Sequence, residues 1–284
     1  MNSKSLIIVI TVGLLAVSAA LLFRGGSGKS QAAPPAYVNP EIAAAYQTFN
    51  QTLAVNEPEA LAALDIADKA SPDNAFHDYL RAVAAVKNKN YTEAIAQLKA
   101  GNASSKLVVY TEAAMPSTMD SLPSMRRLNP SASDLKDLKQ EEGMAYLTEA
   151  RTAGYRLADL DPIDSLAAVH VVSFIKNIEA SFLEFSKIHK LKELEAESTK
   201  RVKQLDTWEA EFKKAVAPEN AILRVAELAG VDSKIVSDYM AKVEIKDAAV
   251  LKKIEDANAK MYAEEVAAVK ASLAKLPGRP QPKS

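Results

Sequence analysis

Two stretches of the chain repeat each other at an offset of 34 residues, and this repeat constrains the fold more than any other feature. Residues 56–67 read NEPEALAALDIA, and residues 90–101 read NYTEAIAQLKAG. Five of the twelve aligned positions are identical, among them Glu59 and Glu93. A period of this length is typical of stacked pairs of helices. The sequence therefore predicts helical hairpins over residues 41–108.

The composition also favours helices. Of 284 residues only 9 are Gly and 6% are aromatic, while 48% are hydrophobic, many of them Ala. Alanine has the highest helix propensity, and alternating runs of β-branched residues are few. We therefore predict an all-α fold, in which helical hairpins are followed by long antiparallel helices and preceded by an N-terminal transmembrane segment.

The repeated stretches resemble the tetratricopeptide repeat family over residues 41–108. The second helix of that family carries a small residue, a Leu or aromatic residue, an Ala and a closing Pro at fixed spacings. The first copy has all four, at Ala60, Leu64, Ala67 and Pro72. The second copy keeps the first two and departs at the others, with Ala94, Leu98, Gly101 and Lys106. The resemblance implies hairpins of the tetratricopeptide type.

The same resemblance implies how the protein functions. Members of the family generally present a concave groove, lined by their first helices, that binds another protein or peptide. Here that lining would comprise Phe49, Leu53, Phe76, Tyr79, Val83 and Lys87. The alternative is that these side chains are internal packing. We expect a protein that mediates protein–protein interaction.

The N-terminus predicts a membrane attachment. Residues 6–23 form an uncharged run of 18 residues, which as a helix spans about 27 Å, close to one hydrocarbon thickness. Cleavable signal peptides have a shorter apolar region of about 7–15 residues. We predict a single-pass anchor in residues 1–24, a flexible linker in residues 25–40 and an extracytoplasmic body. The alternative is a secreted protein, cleaved near residue 33.

Residues 109–276 are predicted to form a helical domain with long helices. One helix is expected over residues 106–115 and another over residues 133–157. Three prolines between them, Pro116, Pro123 and Pro130, indicate a long excursion or a mobile loop. The Met residues of this loop either bind a partner helix or fill gaps in the packing.

Residues 163–216 contain neither Pro nor Gly and predict one very long helix, or two helices separated at the polar stretch 195–201. Apolar residues at alternating spacings of three and four form a helical seam: Val171, Ile175, Ile178, Phe182 and Phe185. This pattern supports an alternative function, a coiled-coil-like spacer or a scaffold that self-associates through residues 163–216. Residues 277–284 are predicted to be a disordered tail.

The sequence contains no recognisable catalytic motif. The absence of Cys excludes disulfides, thiolate nucleophiles and Cys-ligated metals. With a net charge of −1, the protein is not basic, as nucleic-acid-binding proteins generally are. The three His residues match no metal-binding motif. We therefore predict no enzyme activity, no catalytic residue, no metal site, no cofactor and no nucleic-acid partner.

Overall fold

A computed structural model describes residues 37–111, 122–215, 221–241 and 243–279. The predicted transmembrane segment at residues 6–23 lies outside the described residues, as does most of the predicted linker. Within the described ranges the chain forms eleven α-helices and one 3₁₀-helix and has no strand, only two isolated β-bridges. The prediction of an all-α fold is confirmed.

The first four helices pack as two consecutive pairs. Their bounds are α1 Pro40–Thr52, α2 Glu57–Ala70, α3 Ala75–Lys87 and α4 Tyr91–Ala103. Helices α2 and α4 begin 34 residues apart, so the spacing of these helices follows the sequence repeat. Asn39, Asn74 and Asn90 cap α1, α3 and α4, because each side chain accepts a hydrogen bond from a first-turn N–H.

The remaining elements are the 3₁₀-helix Leu122–Leu128, α5 Ala132–Asp137, α6 Gln140–Leu157, α7 Ser165–Ile188, α8 Lys192–Ala215, α9 Ala221–Ala229, α10 Ser233–Met240 and α11 Ala248–Leu273. Helix α6 packs on α4, α7 packs on α6, and α8 packs on α7. Contacts between neighbouring helices therefore connect the first hairpins to α8.

Two local predictions are wrong. The helix expected over residues 106–115 is extended over residues 106–111, because its main chain bonds to the starts of α1 and α3 rather than to itself. The helix expected over residues 133–157 is broken where Leu138 and Lys139 adopt extended backbone angles. Residues 112–121, and with them part of the predicted loop, lie outside the described chain.

The break in the long helical region lies at His189–Leu191, not at the predicted polar stretch 195–201. Lys190 adopts a positive φ of 56°, and the N–H of Leu191 donates to Ser186 O at 2.8 Å, which ends α7. Residues 195–201 are helical within α8. Ser198 is fully buried there, so a small side chain lies within the packed part of this predicted polar stretch.

One continuous core contains side chains from Ile42 to Leu276, so the predicted boundary at residue 108 does not separate two cores. A second, smaller core joins α9, α10 and the first half of α11 around Val225, Val236 and Ile254. Residues 277–279, the described part of the predicted disordered tail, lie against the body of the protein, where Tyr155 OH donates to Pro277 O at 2.6 Å.

Helix α7 is the central element, in contact with α5, α6, α8, α11 and the 3₁₀-helix. Among the described helices it alone is long and apolar enough to cross a membrane, with a mean hydropathy of 1.4. More than half of that apolar stretch is buried against the rest of the protein. A buried core helix has the same composition.

Candidate partner-binding site

The structure places five of the six predicted groove residues inside the core. Phe49, Leu53, Phe76, Tyr79 and Val83 are each 0% exposed. Their burial supports the alternative interpretation, in which these side chains are internal packing. They leave no surface for a partner in this conformation.

Lys87 is the one predicted groove residue that is exposed. Its Nζ donates to the main-chain O of Leu53 and lies 3.7 Å from the Glu57 carboxylate. The ammonium group thus bridges the end of α3 to the turn between α1 and α2. Lys87 is the predicted residue that a partner can reach.

Two segments that follow α4 cover the first helices. The extended segment 106–111 crosses the starts of α3 and α1, and the 3₁₀-helix 122–128 packs against α3 and α7. The sequence did not reveal this cover, because both segments lie in the stretch that was predicted to be helix and loop.

Asn74 holds the extended segment in place. Its Nδ2 donates to Val108 O at 2.8 Å, and its Oδ1 accepts from Val108 N at 3.0 Å. On either side, Ala75 N donates to Lys106 O at 2.9 Å and Thr111 N donates to Tyr37 O at 3.0 Å. The helix ends therefore bind the main chain of this segment, which explains why it is extended.

A buried polar cluster joins α1, α2 and α3 at the same place. His77 Nδ1 lies 2.6 Å from Asp68 Oδ1, and Tyr46 OH lies 2.9 Å from His77 Nε2. Because a carboxylate only accepts, Nδ1 carries a proton, and in the neutral ring Nε2 then accepts from Tyr46. Arg81 pairs with Asp68 from the opposite side.

The pKa values in this cluster are shifted in opposite directions. Burial raises the pKa of Asp68, but hydrogen bonds from His77 and Arg81 outweigh it, so the pKa lies below its ordinary value. Burial raises the pKa of Tyr46 well above its ordinary value. The connectivity is that of an acid–base relay, but Tyr46 and His77 are fully buried, so no substrate reaches them. The cluster locks three helices together.

A second buried charge cluster joins α6, α7 and α8. Glu179 is 0% exposed, and its Oε2 accepts from Arg151 Nη2 at 2.9 Å. Arg201 approaches Oε1 at 3.6 Å, and the Arg151 guanidinium stacks 3.7 Å from the Phe182 ring centroid. Burial raises the pKa of Glu179, although both arginines oppose the shift. No pattern in the sequence predicted this pairing, because its members lie far apart along the chain.

Two carboxylates meet at the start of α7. Asp164 Oδ1 accepts from Ala167 N at 2.7 Å and caps the helix, while Glu265 of α11 accepts from Ser165 N at 3.0 Å. Burial, with a smaller contribution from Glu265, raises the pKa of Asp164 to about 6. This junction fastens α11 to the body of the protein.

The apolar seam that was predicted to mediate self-association is buried in contacts within the protein itself. Val171, Ile175, Ile178, Phe182 and Phe185 are all buried. The large hydrophobic side chains that are exposed in the described chain lie elsewhere, and none falls between residues 163 and 215. The seam therefore holds α7 among its neighbours.

Nothing in the described ranges gathers three metal-ligating side chains into one group. In comparisons with protein-family models, curated proteins and solved structures, the chain has no significant match to any of them.

Proposed function

We propose that this chain is a membrane-anchored helical-repeat protein that binds another protein or peptide. The observation that carries the proposal is the pair of consecutive helical hairpins, α1–α2 and α3–α4, whose second helices begin 34 residues apart. Stacked hairpins of this period form extended surfaces, and such surfaces function by contact. The resemblance of residues 41–108 to the tetratricopeptide repeat family supports the same function.

Lys87 supplies the test of partner binding, because it is the exposed member of the predicted groove. Proteins would be captured from solubilised membranes with the full-length chain and with Lys87→Glu. Lys99→Glu, an exposed substitution on α4, is the matched control. We expect a recovered partner to be lost with Lys87→Glu and retained with Lys99→Glu, at unchanged helicity. Absence of any partner above background from the folded wild-type chain contradicts the proposal.

The membrane anchor has its own test. Residues 6–23 are proposed to span the bilayer without being cleaved. We expect the native protein to remain with membranes after alkaline extraction and a chain lacking residues 1–24 to be released. A mature N-terminus near residue 33 would instead establish the secreted alternative.

A further inference from the structure

The 3₁₀-helix 122–128 has one apolar side and one charged side. A 3₁₀-helix has three residues per turn, so side chains three apart lie on the same side. Leu122, Met125 and Leu128 share one side and are 2%, 1% and 0% exposed. Arg126 and Arg127 are exposed. The segment thus inserts an apolar triad, Leu-x-x-Met-x-x-Leu, into the protein.

Polar contacts fix this segment along its whole length. Ser124 Oγ donates to the Oδ1 of Asn50 on α1, and Tyr146 OH on α6 donates to Leu128 O. Arg126 Nη2 lies 2.8 Å from the ring nitrogen Nδ1 of His170 on α7. The segment therefore lies between α3 and α7 in one defined register, as a bound peptide does.

The segment also lies on the helices that carry the predicted groove. It packs against α3 and reaches α1 through Asn50, and Leu122, Met125 and Leu128 belong to the same core as the five buried groove residues. The part of α3 against which the segment packs is therefore covered by the chain itself.

We propose that the surface between α3 and α7 is a binding site for a short helical peptide with apolar residues three apart, and that residues 122–128 occupy it as a ligand in cis. The inference rests on the proposed function and specifies its partner class. A partner with the Leu-x-x-Met-x-x-Leu spacing binds when it replaces the internal segment. The internal segment therefore competes with the partner, and the wild-type chain captures only a partner whose affinity overcomes this competition.

The competition is governed by effective concentration. A ligand tethered in the same chain acts at about millimolar concentration. Free peptide at micromolar concentration therefore does not displace the intact segment. A substitution that weakens the internal segment, and leaves the receiving helices unchanged, exposes the site to peptide in solution.

The experiment measures binding of a fluorescein-labelled peptide with the sequence of residues 121–132 to the full-length chain in detergent. Fluorescence anisotropy would compare the wild type, Met125→Asp and Arg127→Ala, the last being an exposed control on the same helix. We expect Met125→Asp to bind the peptide at least about 100-fold more tightly than the wild type or Arg127→Ala. A peptide that carries the same Met→Asp change should not bind.

Three outcomes would overturn the inference. They are no binding by a helical Met125→Asp variant, equal binding by wild type and variant, and loss of helicity in both Met125→Asp and the milder Leu122→Ala. The last would show the segment to be an obligatory part of the core. Partner capture by the wild type is scored separately, so a captured partner without peptide binding removes this site and retains the proposed function.

Discussion

Asn74 binds both main-chain polar groups of Val108, 34 residues further along the chain, and also caps helix α3. One side-chain amide thus sets the start of a helix and the position of the extended segment that crosses it. The three contacts depend on the amide's having both a donor and an acceptor.

Replacing Asn74 with Ala should destabilise the protein by about 2–4 kcal/mol, because it removes a helix cap and leaves two partly buried main-chain groups unpaired. Urea unfolding followed by circular dichroism measures the change. Asn56→Ala is the matched control, since Asn56 precedes α2 and makes no capping bond. It should cost less than about 0.5 kcal/mol. Equal costs for the two variants would contradict the role assigned to Asn74.

Removing the Glu179 carboxylate should destabilise the protein by about 3–5 kcal/mol, because Arg151 would remain partly buried without its partner. Glu197→Ala is the control, because Glu197 forms an exposed pair with Arg201 one helical turn away. That change should cost about 0.3–0.5 kcal/mol. The double replacement Arg151→Met with Glu179→Leu should recover much of the loss, since an apolar pair carries no desolvation penalty. Denaturant midpoints distinguish these results.

Asp164 should make stability depend on pH between about 4 and 6. Its pKa is about 6 in the folded protein against an ordinary value of 3.8, so the folded state binds the proton more tightly. Stability contributed by the protonated form is therefore complete below about pH 4 and lost as the pH rises through 6. The difference corresponds to about 2–3 kcal/mol.

Asp164→Asn should remove this dependence while retaining the cap, because Asn is an equally good N-cap residue. The measurement is the difference in unfolding free energy between wild type and variant from pH 4 to pH 7.5. We expect the unfolding free energy of the variant to increase relative to that of the wild type as the pH rises. Asp247→Asn, at the exposed cap of α11, controls for the loss of a capping carboxylate. A constant difference between wild type and Asp164→Asn over this range would refute the assignment.

Gly143→Ala should destabilise the protein although it raises helix propensity. An exposed helical Gly→Ala change stabilises by about 0.5–1 kcal/mol. At Gly143 the added Cβ would overlap the buried Phe185 ring of α7, so the ring or the helices must shift. We expect a net loss of about 1–3 kcal/mol in thermal or urea unfolding. If Phe185→Leu, added to Gly143→Ala, restores the lost stability, the overlap with the Phe185 ring is the cause of the loss.

The elements that were predicted correctly depend on patterns that are visible along the chain. The 34-residue repeat anticipates the spacing of α2 and α4. Repeats and hydrophobic periodicity are properties of the sequence itself, so the sequence alone reveals them.

The errors arose where distant residues outweighed local preference. Residues 106–111 have apolar side chains suited to a helix, but Asn74 and the start of α1 bind their main chain in an extended form. The stretch 195–201 has too few large apolar residues to predict a packed helix, yet the buried Ser198 allows one. The conformation of both stretches depends on residues that are distant in the sequence but adjacent in the folded protein.

The sequence by itself determined an all-helical chain, the positions of its first hairpins and the amphipathic stripes of its long helices. Only the tertiary structure decided that Phe49 and Phe76 are core residues and do not line an open groove. It also decided that Glu179 is buried between Arg151 and Arg201. The amphipathic pattern of a helix shows which of its side chains are apolar. Whether such a side chain is buried depends on which distant segment packs against it.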